Sequence, residues 1–404
     1  MKFTEKKVAA KNSFIRNSSS MLKNVFGTTE VTPFWIADMD FTIAKPIQQE
    51  LQRLVERNQF AYENDSATVF NAISGWFKRR HNLTLSSNQF VQVPGVLAGI
   101  ALLIRELSQD GEGVLIQTPA YHQFAKVISG AGRDVVKSPL QLVNGRYEVD
   151  YSDLEEKLSA DNVTLMILCN PHNPVGRVWR EHEIRQIQTL AEKHGVTIIS
   201  DEIHADIIYS GHKFTSLMAT GAEKHVALIG SPAKTFGMQS ISNGYIYSEN
   251  QEIFDTMSKL SQSLYIDHGN AFTTFATIAA FDQGGEWLDG FLQQMQETVE
   301  WIASFLAEKL PNVTMTPVEG TYQVWLDFSK LGYSNDGLVK LFGDAGFGVS
   351  PGTWFGENHG QFARMNFAAP KADVESAFLR LQAAISSASG QYNGCGGSAS
   401  KSCC

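Results

Sequence analysis

Three polar residues, Asn173, Asp201 and Lys234, lie just beyond three apolar runs and are 28 and 33 positions apart. The runs are VTLMILC (163–169), VTIIS (196–200) and VALIG (226–230). Each run is typical of a buried strand, and open sheets of parallel strands bind their ligands at the carboxyl ends of the strands. An amide, a carboxylate and an amine are therefore expected at one edge of one sheet.

Each of these residues, taken alone, also has an ordinary structural explanation. Asn-Pro steps form rigid turns, an aspartate often caps a helix and most lysines are solvated. Taken together, the three groups match the requirements of pyridoxal 5′-phosphate. A lysine amine in an apolar turn can form a Schiff base with this cofactor. A carboxylate keeps the pyridine nitrogen protonated, so that the ring accepts electrons.

The elements that must position these residues repeat between about residues 45 and 280. Helix-like segments such as 181–194 alternate with short apolar runs, including GVLIQ (113–117), and with Gly, Pro or Asn. This pattern predicts an α/β fold with a mostly parallel sheet flanked by helices. Beyond a long amphipathic region at 287–310, strand-like pieces at 321–328 and 364–367 and a helix at 373–385 indicate a smaller α+β domain.

The predicted organisation has four parts. They are an N-terminal segment packing with the small domain (1–45), a large cofactor-binding domain (46–281), a small C-terminal domain (282–386) and a disordered tail (387–404). The tail is rich in Ser and Gly and has little to bury. It carries Cys395, Cys403 and Cys404, which are interpreted with Cys169 as free thiols.

Composition and motif searches exclude several function classes. The 404 residues carry a formal net charge of -9, so no nucleic-acid partner is expected. No apolar stretch is long enough for a membrane span, and residues 1–30 lack the apolar core of a signal peptide, which predicts a cytoplasmic protein with no membrane partner. Dinucleotide-binding, P-loop and H-E-x-x-H motifs are missing from the sequence, and no metal site is predicted.

The ordered motifs resemble fold-type I pyridoxal phosphate enzymes of the aminotransferase class I/II kind, and within them the cystathionine (carbon–sulfur) β-lyase branch of the MalY/PatB type. The resemblance covers roughly residues 30–385. Its motifs are WIADMDF (35–41), PGV (94–96), TPAY (118–121), CNPHNPVGRVW (169–179), SDEIH (200–204), SPAKTF (231–236), GTY (320–322) and RMNF (364–367). Ser242 stands where aspartate aminotransferase-like relatives carry an arginine for the phosphate, which fits the lyase branch better.

The resemblance implies roles for individual residues. Lys234 holds the cofactor and moves the substrate Cα proton, Asp201 pairs with the pyridine nitrogen and Tyr121 stacks on the ring; these three are the predicted catalytic residues. The other implied cofactor-binding residues are Asn173, Gly95, Val96, Leu97, Ser231, His204 and, from the neighbouring subunit of a homodimer, Tyr62. Arg364, with Asn173 and Tyr121, is implied to bind the substrate, its guanidinium gripping the carboxylate as a fork.

Three functions stay open on the sequence alone. The favoured one is α,β-elimination, which converts L-cystathionine, L-cysteine or a related S-substituted cysteine to pyruvate, ammonia and a thiol. An aminotransferase would use the same residues, and only the resemblance favours the lyase. A regulatory or binding protein that retains the fold is the third possibility. The presence of both Lys234 and Asp201 argues for catalysis.

Overall fold

The computed structural model describes residues 3, 14–63, 66–221 and 223–394. The strands, numbered in chain order, are β1 (Thr32–Pro33), β2 (Phe90–Val93), β3 (Gly113–Thr118), β4 (Asp134–Pro139), β5 (Gln141–Val143), β6 (Arg146–Glu148), β7 (Val163–Cys169), β8 (Thr197–Asp201), β9 (Val226–Gly230), β10 (Gly244–Tyr247), β11 (Thr314–Met315), β12 (Gln323–Asp327), β13 (Phe347–Gly348), β14 (Ser350–Pro351) and β15 (Phe362–Asn366).

The α-helices are α1 (Ser19–Phe26), α2 (Lys45–Arg57), α3 (Ser66–His81), α4 (Val96–Leu107), α5 (His122–Gly130), α6 (Tyr151–Leu158), α7 (Glu181–Lys193), α8 (Ala233–Phe236), α9 (Gln251–Ser263), α10 (Ala271–Gln283), α11 (Gly285–Lys309), α12 (Asn335–Asp344) and α13 (Lys371–Gly394). Short 3-10 turns lie at Ile15–Asn17, Ser87–Gln89, Leu217–Ala219, Glu223–His225, Ser329–Leu331, Gly352–Trp354 and Glu357–His359. None of the helices in the described residues is long and apolar enough to cross a membrane.

A seven-stranded sheet, in the order β2-β10-β9-β8-β7-β3-β4, organises the large part of the chain. Its strands are parallel except β10, which runs antiparallel to both of its neighbours. Met166 and Leu168 of β7 belong to one hydrophobic core, and Leu165 and Ile167 belong to a second. Because both faces are covered, the strands are continuous apolar runs. The predicted α/β fold with a mostly parallel sheet is confirmed.

The register of three adjacent strands aligns the ends that carry chemistry. Cys169 at the end of β7 pairs with Asp201 at the end of β8, and Asp201 pairs with Ile229 in β9. Asn173 lies in the loop that follows β7, and Lys234 lies in α8, the short helix that follows β9. All three side chains therefore start from the same edge of the sheet.

A four-stranded antiparallel sheet, β11-β12-β15-β14, forms the centre of the C-terminal part. The N-terminal segment contacts this part directly, since β1 pairs with β13 through Thr32 and Phe347. In the sheet, Arg364 of β15 lies opposite Trp325 of β12 and Ser350 of β14.

Two element boundaries differ from the prediction. Strand β8 is Thr197–Asp201, so Asp201 is the last residue of the strand and does not cap a helix. Helix α13 runs to Gly394 and so extends past residue 387, where the tail was predicted to begin. The serines and alanines that follow the amphipathic part include no proline, so nothing in the sequence ends the helix earlier. The tail cysteines Cys395, Cys403 and Cys404 lie outside the described residues.

Candidate active site

A cavity of about 340 Å³ lies at the edge of the sheet where β7, β8 and β9 end. Predicted site residues that line it are Gly95, Val96, Leu97, Tyr121, Asn173, Asp201, His204, Ser231 and Lys234. Three of the elements that contribute to it are turns at strand ends, as expected for a ligand site in an open α/β sheet. The structure thus brings together residues that are up to 139 positions apart, from 95 to 234.

Lys234 lies in α8, a single helical turn that ends at Gly237, whose φ of 69° is in the left-handed region. The Lys234 amine donates a hydrogen bond to the carbonyl oxygen of Ala37. Burial lowers the pKa of Lys234 to about 8, assisted by the charge of Arg364 and opposed by Asp38 and Asp201. About a tenth of this amine is therefore neutral at pH 7, and able to act as a nucleophile or base, which is far more than for an ordinary lysine.

Asp201 is almost fully buried, with 4% of its surface exposed. Its Oδ1 accepts a hydrogen bond of 3.1 Å from the backbone N–H of Ile203. Burial raises the pKa of Asp201 to about 6, although that hydrogen bond and the charge of Lys234 act in the opposite direction. A cation placed against this carboxylate from the cavity would lower this pKa and stabilise the ionised form.

Arg364 is also buried, with 2% exposed, and its described partners are all uncharged. Nη1 donates to Oδ1 of Asn173 at 3.3 Å, and Nη2 donates to the carbonyl of Trp35 at 2.8 Å and to Oγ of Ser350 at 3.3 Å. Nε has no partner in the described residues. Burial lowers the pKa of Arg364 to about 10. A structural ion pair is the alternative for such a residue, but no carboxylate lies within ion-pair distance in the described chain.

Another part of the cavity wall is formed by the start of helix α4, with its backbone N–H groups, and by the hydroxyls of Ser231 and Ser242. Helix α4 begins at Val96, directly after Gly95, so its first N–H groups have no partner within the helix. A Cβ on Gly244 would lie 2.9 Å from the carbonyl carbon of Gly95, so the glycine in β10 allows this turn to sit close to the sheet. Oγ of Ser231 donates to the carbonyl of Asn243 at 2.8 Å and lies 3.4 Å from Oγ of Ser242. The N–H groups at the start of α4 that have no partner within the helix favour the binding of an anion.

Tyr121 and His204 supply rings to the cavity wall. Tyr121 immediately precedes α5, and burial raises the pKa of its phenol. His204 is buried, with Nδ1 lacking a partner in the described residues, and burial lowers its pKa to about 3. The imidazole is therefore neutral, and its ring packs edge-on against Tyr322 at 5.8 Å between centroids.

Several groups at the site were not predicted from the sequence. Gln239 and Cys169 line the cavity, and burial raises the pKa of the Cys169 thiol well above its ordinary value. The carbonyls of Trp35 and Ala37 contact Arg364 and Lys234. The motif WIADMDF marked that segment, but a backbone acceptor leaves no signal in residue type.

Tyr62 is the one predicted cofactor residue that lies apart from the others. Its side chain is fully exposed and borders a different depression, between residues 60–63 and 268–272. Phe60 in the same segment stacks on Phe272 with centroids 5.7 Å apart. Within a single chain, Tyr62 does not reach the cavity of Lys234.

The fold and this cavity define a chain of the α/β class with a lysine and a carboxylate in one ligand site. Arg364 does not line the cavity itself but is hydrogen-bonded to Asn173, which does. Residues 40–381 match the family model "Aminotransferase class I and II", and the chain belongs to this family, which confirms the predicted family.

Within the described residues, no group of three or more His, Cys, Asp or Glu side chains could hold a metal ion.

Two curated relatives are similar over nearly the whole chain. Cystathionine beta-lyase PatB of Bacillus subtilis is 33% identical over 366 residues, covering 90% of this chain and 94% of the relative. Protein MalY of Escherichia coli is 32% identical over 365 residues, covering 89% and 93%.

Solved structures agree in fold. A PLP-bound putative aminotransferase from Clostridium difficile has a TM-score of 0.90 and 34% identity and covers 94% of this chain and 99% of its own. Cystalysin from Treponema denticola, which contains a pyridoxal 5′-phosphate cofactor, has a TM-score of 0.90 and 25% identity, with 96% and 100% covered.

Proposed function

We propose that this protein is a pyridoxal phosphate-dependent carbon–sulfur β-lyase that converts L-cystathionine, L-cysteine or a related S-substituted cysteine to pyruvate, ammonia and a thiol. The observation that carries the proposal is that Lys234, Asp201 and Asn173 line one cavity. Asn173 is also hydrogen-bonded to Arg364, a buried cation with no acidic partner in the described chain. The relative named cystathionine beta-lyase, which shares 33% of its residues over 90% of this chain, supports the choice of reaction.

The residues present fit the cofactor at each of its functional ends. A helix start and two hydroxyls suit a phosphate, the buried carboxylate of Asp201 suits a protonated pyridine nitrogen and the amine of Lys234 suits the aldehyde. The amide of Asn173 suits the phenolic oxygen. His204, which lines the cavity with an unpartnered Nδ1, adds a polar group that the described protein leaves unsatisfied.

Pyridoxal phosphate, when bound, supplies an electron sink that stabilises negative charge at the substrate Cα. Asp201 holds the positive charge that makes the ring an effective sink. Arg364 holds the substrate carboxylate with its planar fork, so that the Cα–H bond is presented in a fixed orientation. Lys234, as a neutral amine, takes the Cα proton. The bond between Cβ and sulfur then breaks, and its electron pair leaves with the thiolate.

We further propose that the protein is a cytoplasmic homodimer in which Tyr62 reaches the phosphate of the partner's cofactor. Support comes from the large side chains that a single chain leaves exposed in this region. Phe60 and Tyr62 are exposed, as are Leu264 and Tyr265, which precede the 268–272 segment beside Tyr62. Static light scattering of the loaded protein tests the dimer.

The reaction is tested by incubating the purified, cofactor-loaded protein with L-cystathionine and no keto acid. A lyase forms pyruvate and thiol through many turnovers under these conditions. An aminotransferase needs a keto acid acceptor and leaves the carbon–sulfur bond intact, so conversion of an added keto acid to its amino acid, with no release of pyruvate or thiol, would overturn the proposal. Absence of any turnover with either mixture would favour the regulatory protein. Lys234→Ala is the control that excludes a contaminating lyase.

A further inference from the structure

A buried carboxylate next to the active site contacts three side chains that are distant in sequence. Asp206 lies five residues after Asp201, and its Oδ1 accepts hydrogen bonds of 2.8 Å from Nε1 of Trp76 and 2.8 Å from Nε2 of His81. Its Oδ2 accepts a hydrogen bond of 2.9 Å from the Thr235 hydroxyl. Trp76 and His81 belong to α3, whereas Thr235 belongs to α8 and follows Lys234 in the chain.

The turn that carries Lys234 depends on such contacts for its orientation. Helix α8 has four residues, far below the length at which a helix is stable alone. Phe236, the residue after Thr235, is fully buried, and its ring packs against Trp76 at 5.5 Å and Phe281 at 5.9 Å. Both residues that follow Lys234 are therefore anchored away from the cavity, and this directs the lysine side chain into it.

The bond between Asp206 and Thr235 is charge-assisted. Burial acts to raise the pKa of Asp206, but hydrogen bonds from His81, Trp76 and Thr235 hold that pKa below its ordinary value. Asp206 is not among the charges that move the pKa of Lys234. The contact that joins Asp206 to the turn of Lys234 is the hydrogen bond from the Thr235 hydroxyl.

We infer that Asp206 and Thr235 are positioning residues, which fix the Lys234 amine at its working place in the cavity by tying α8 to α3. The inference rests on the proposed function, because it takes Lys234 as the acting amine. A displacement of a reacting group by about 1 Å can cost about a hundredfold in rate. Loss of one of the two anchors is expected to cost about tenfold.

The test compares Thr235→Val, which keeps the shape and removes the hydroxyl, with Thr235→Ser, which keeps the hydroxyl. With L-cystathionine, Thr235→Val is expected to lower kcat by about tenfold and to leave KM within about twofold, whereas Thr235→Ser stays within about twofold of wild type in both. The pH midpoint of the cofactor's visible absorbance, which reports on the Lys234 nitrogen, is expected to move by about half a pH unit or more in the valine variant only.

Thr298→Val is the matched control for the general cost of a buried hydroxyl. Thr298 is buried in α11, donates one hydrogen bond of 2.9 Å to the carbonyl of Gln294 and does not line the cavity. It is expected to lower the apoprotein melting temperature about as much as Thr235→Val does, with kcat and the absorbance midpoint unchanged. Asp206→Asn combined with Thr235→Val should be no slower than the slower of the two single variants, because both act on one contact.

The inference is overturned if Thr235→Val keeps the wild-type kcat and absorbance midpoint, or if Thr298→Val loses as much kcat. Failure of the proposed function gives a different result. In that case the wild-type protein would itself form no pyruvate from L-cystathionine in the absence of a keto acid, whereas failure of the positioning role alone leaves the wild type active, Lys234→Ala inactive and Thr235→Val normal.

Discussion

Replacement of Asp201 by asparagine should stabilise the cofactor-free protein while it impairs the enzyme. Burial raises the pKa of Asp201 from 3.8 to about 6 in the folded apoprotein. Each pH unit by which a pKa moves corresponds to about 1.4 kcal/mol, so ionising this carboxyl costs the fold about 3 kcal/mol relative to the unfolded chain. Asparagine has no proton to lose, and its Oδ1 can still accept the hydrogen bond from the Ile203 N–H.

The sign of the effect depends on pH. Below about pH 3 the carboxyl is protonated in both the folded and the unfolded states, and there is no penalty. Between about pH 4 and pH 6 the unfolded chain loses its proton first, so the stability of the wild-type apoprotein falls as pH rises, and above pH 6 the loss is complete. The advantage of Asp201→Asn should therefore be about 0.6 kcal/mol at pH 4 and about 3 kcal/mol at pH 8.

Loading with pyridoxal phosphate should cancel this advantage. A protonated pyridine nitrogen beside Asp201 supplies the cation that the apoprotein lacks, and an opposite charge in contact lowers the pKa of a carboxyl. An amide cannot balance that charge, so the loaded Asp201→Asn protein should be no more stable than the loaded wild type. Its turnover should be severely reduced.

Urea unfolding, followed by tryptophan fluorescence at pH 4 and pH 8 with and without cofactor, measures these differences. Glu202→Gln is the control. Burial raises the pKa of Glu202 to about 7, but its Oε1 is bonded to Ser200, Ser216 and the N–H of Leu217, and the side chain does not line the cavity. Its effect should be the same in the apo and loaded proteins. An Asp201→Asn apoprotein that is less stable than wild type at pH 8 would refute the reasoning.

Three further substitutions test the remaining roles. Lys234→Ala should abolish turnover and the covalent attachment of cofactor, measured as intact mass after borohydride reduction, because no other amine lines the cavity among the described residues. Arg364→Lys should lower kcat/KM by about tenfold or more with little change in melting temperature, since lysine keeps the charge and loses the fork; a collapse in stability with unchanged kcat/KM would make Arg364 structural. Tyr62→Phe should remain dimeric in light scattering and bind cofactor more weakly by about 1–3 kcal/mol, and a fully active monomer would contradict the shared site.

The sequence was most informative about the central sheet. Strands β7, β8 and β9 are buried on both faces, so each is an unbroken apolar run whose end is marked by the first polar residues. That marking predicted Asn173, Asp201 and Lys234 as neighbours. The predicted end of β8 was wrong by one residue. Asp201 is polar but still belongs to the strand, because its backbone continues the parallel pairing with Cys169.

The contacts of Arg364 could not be predicted in the same way. Its partners Trp35, Asn173 and Ser350 are as much as 329 positions away in the chain, and two of the three belong to the N-terminal segment and the large sheet. No local sequence pattern predicts contacts over such distances. That Arg364 has no acidic partner among the described residues is evident only from the three-dimensional structure. The resemblance to a family identified Arg364 as a site residue, but it did not identify the residues that contact Arg364.

The predicted cofactor-binding residues and Arg364 therefore come from different parts of the fold. Every predicted cofactor group that lines the cavity lies between residues 95 and 234, within one sheet and the helices that follow its strands. The guanidinium of Arg364 comes from the small sheet and is held by a carbonyl of the N-terminal segment. Under the proposed roles, cofactor binding depends on local strand order, whereas recognition of the substrate carboxylate by Arg364 requires the small sheet, the N-terminal segment and the Asn173 loop to be packed together.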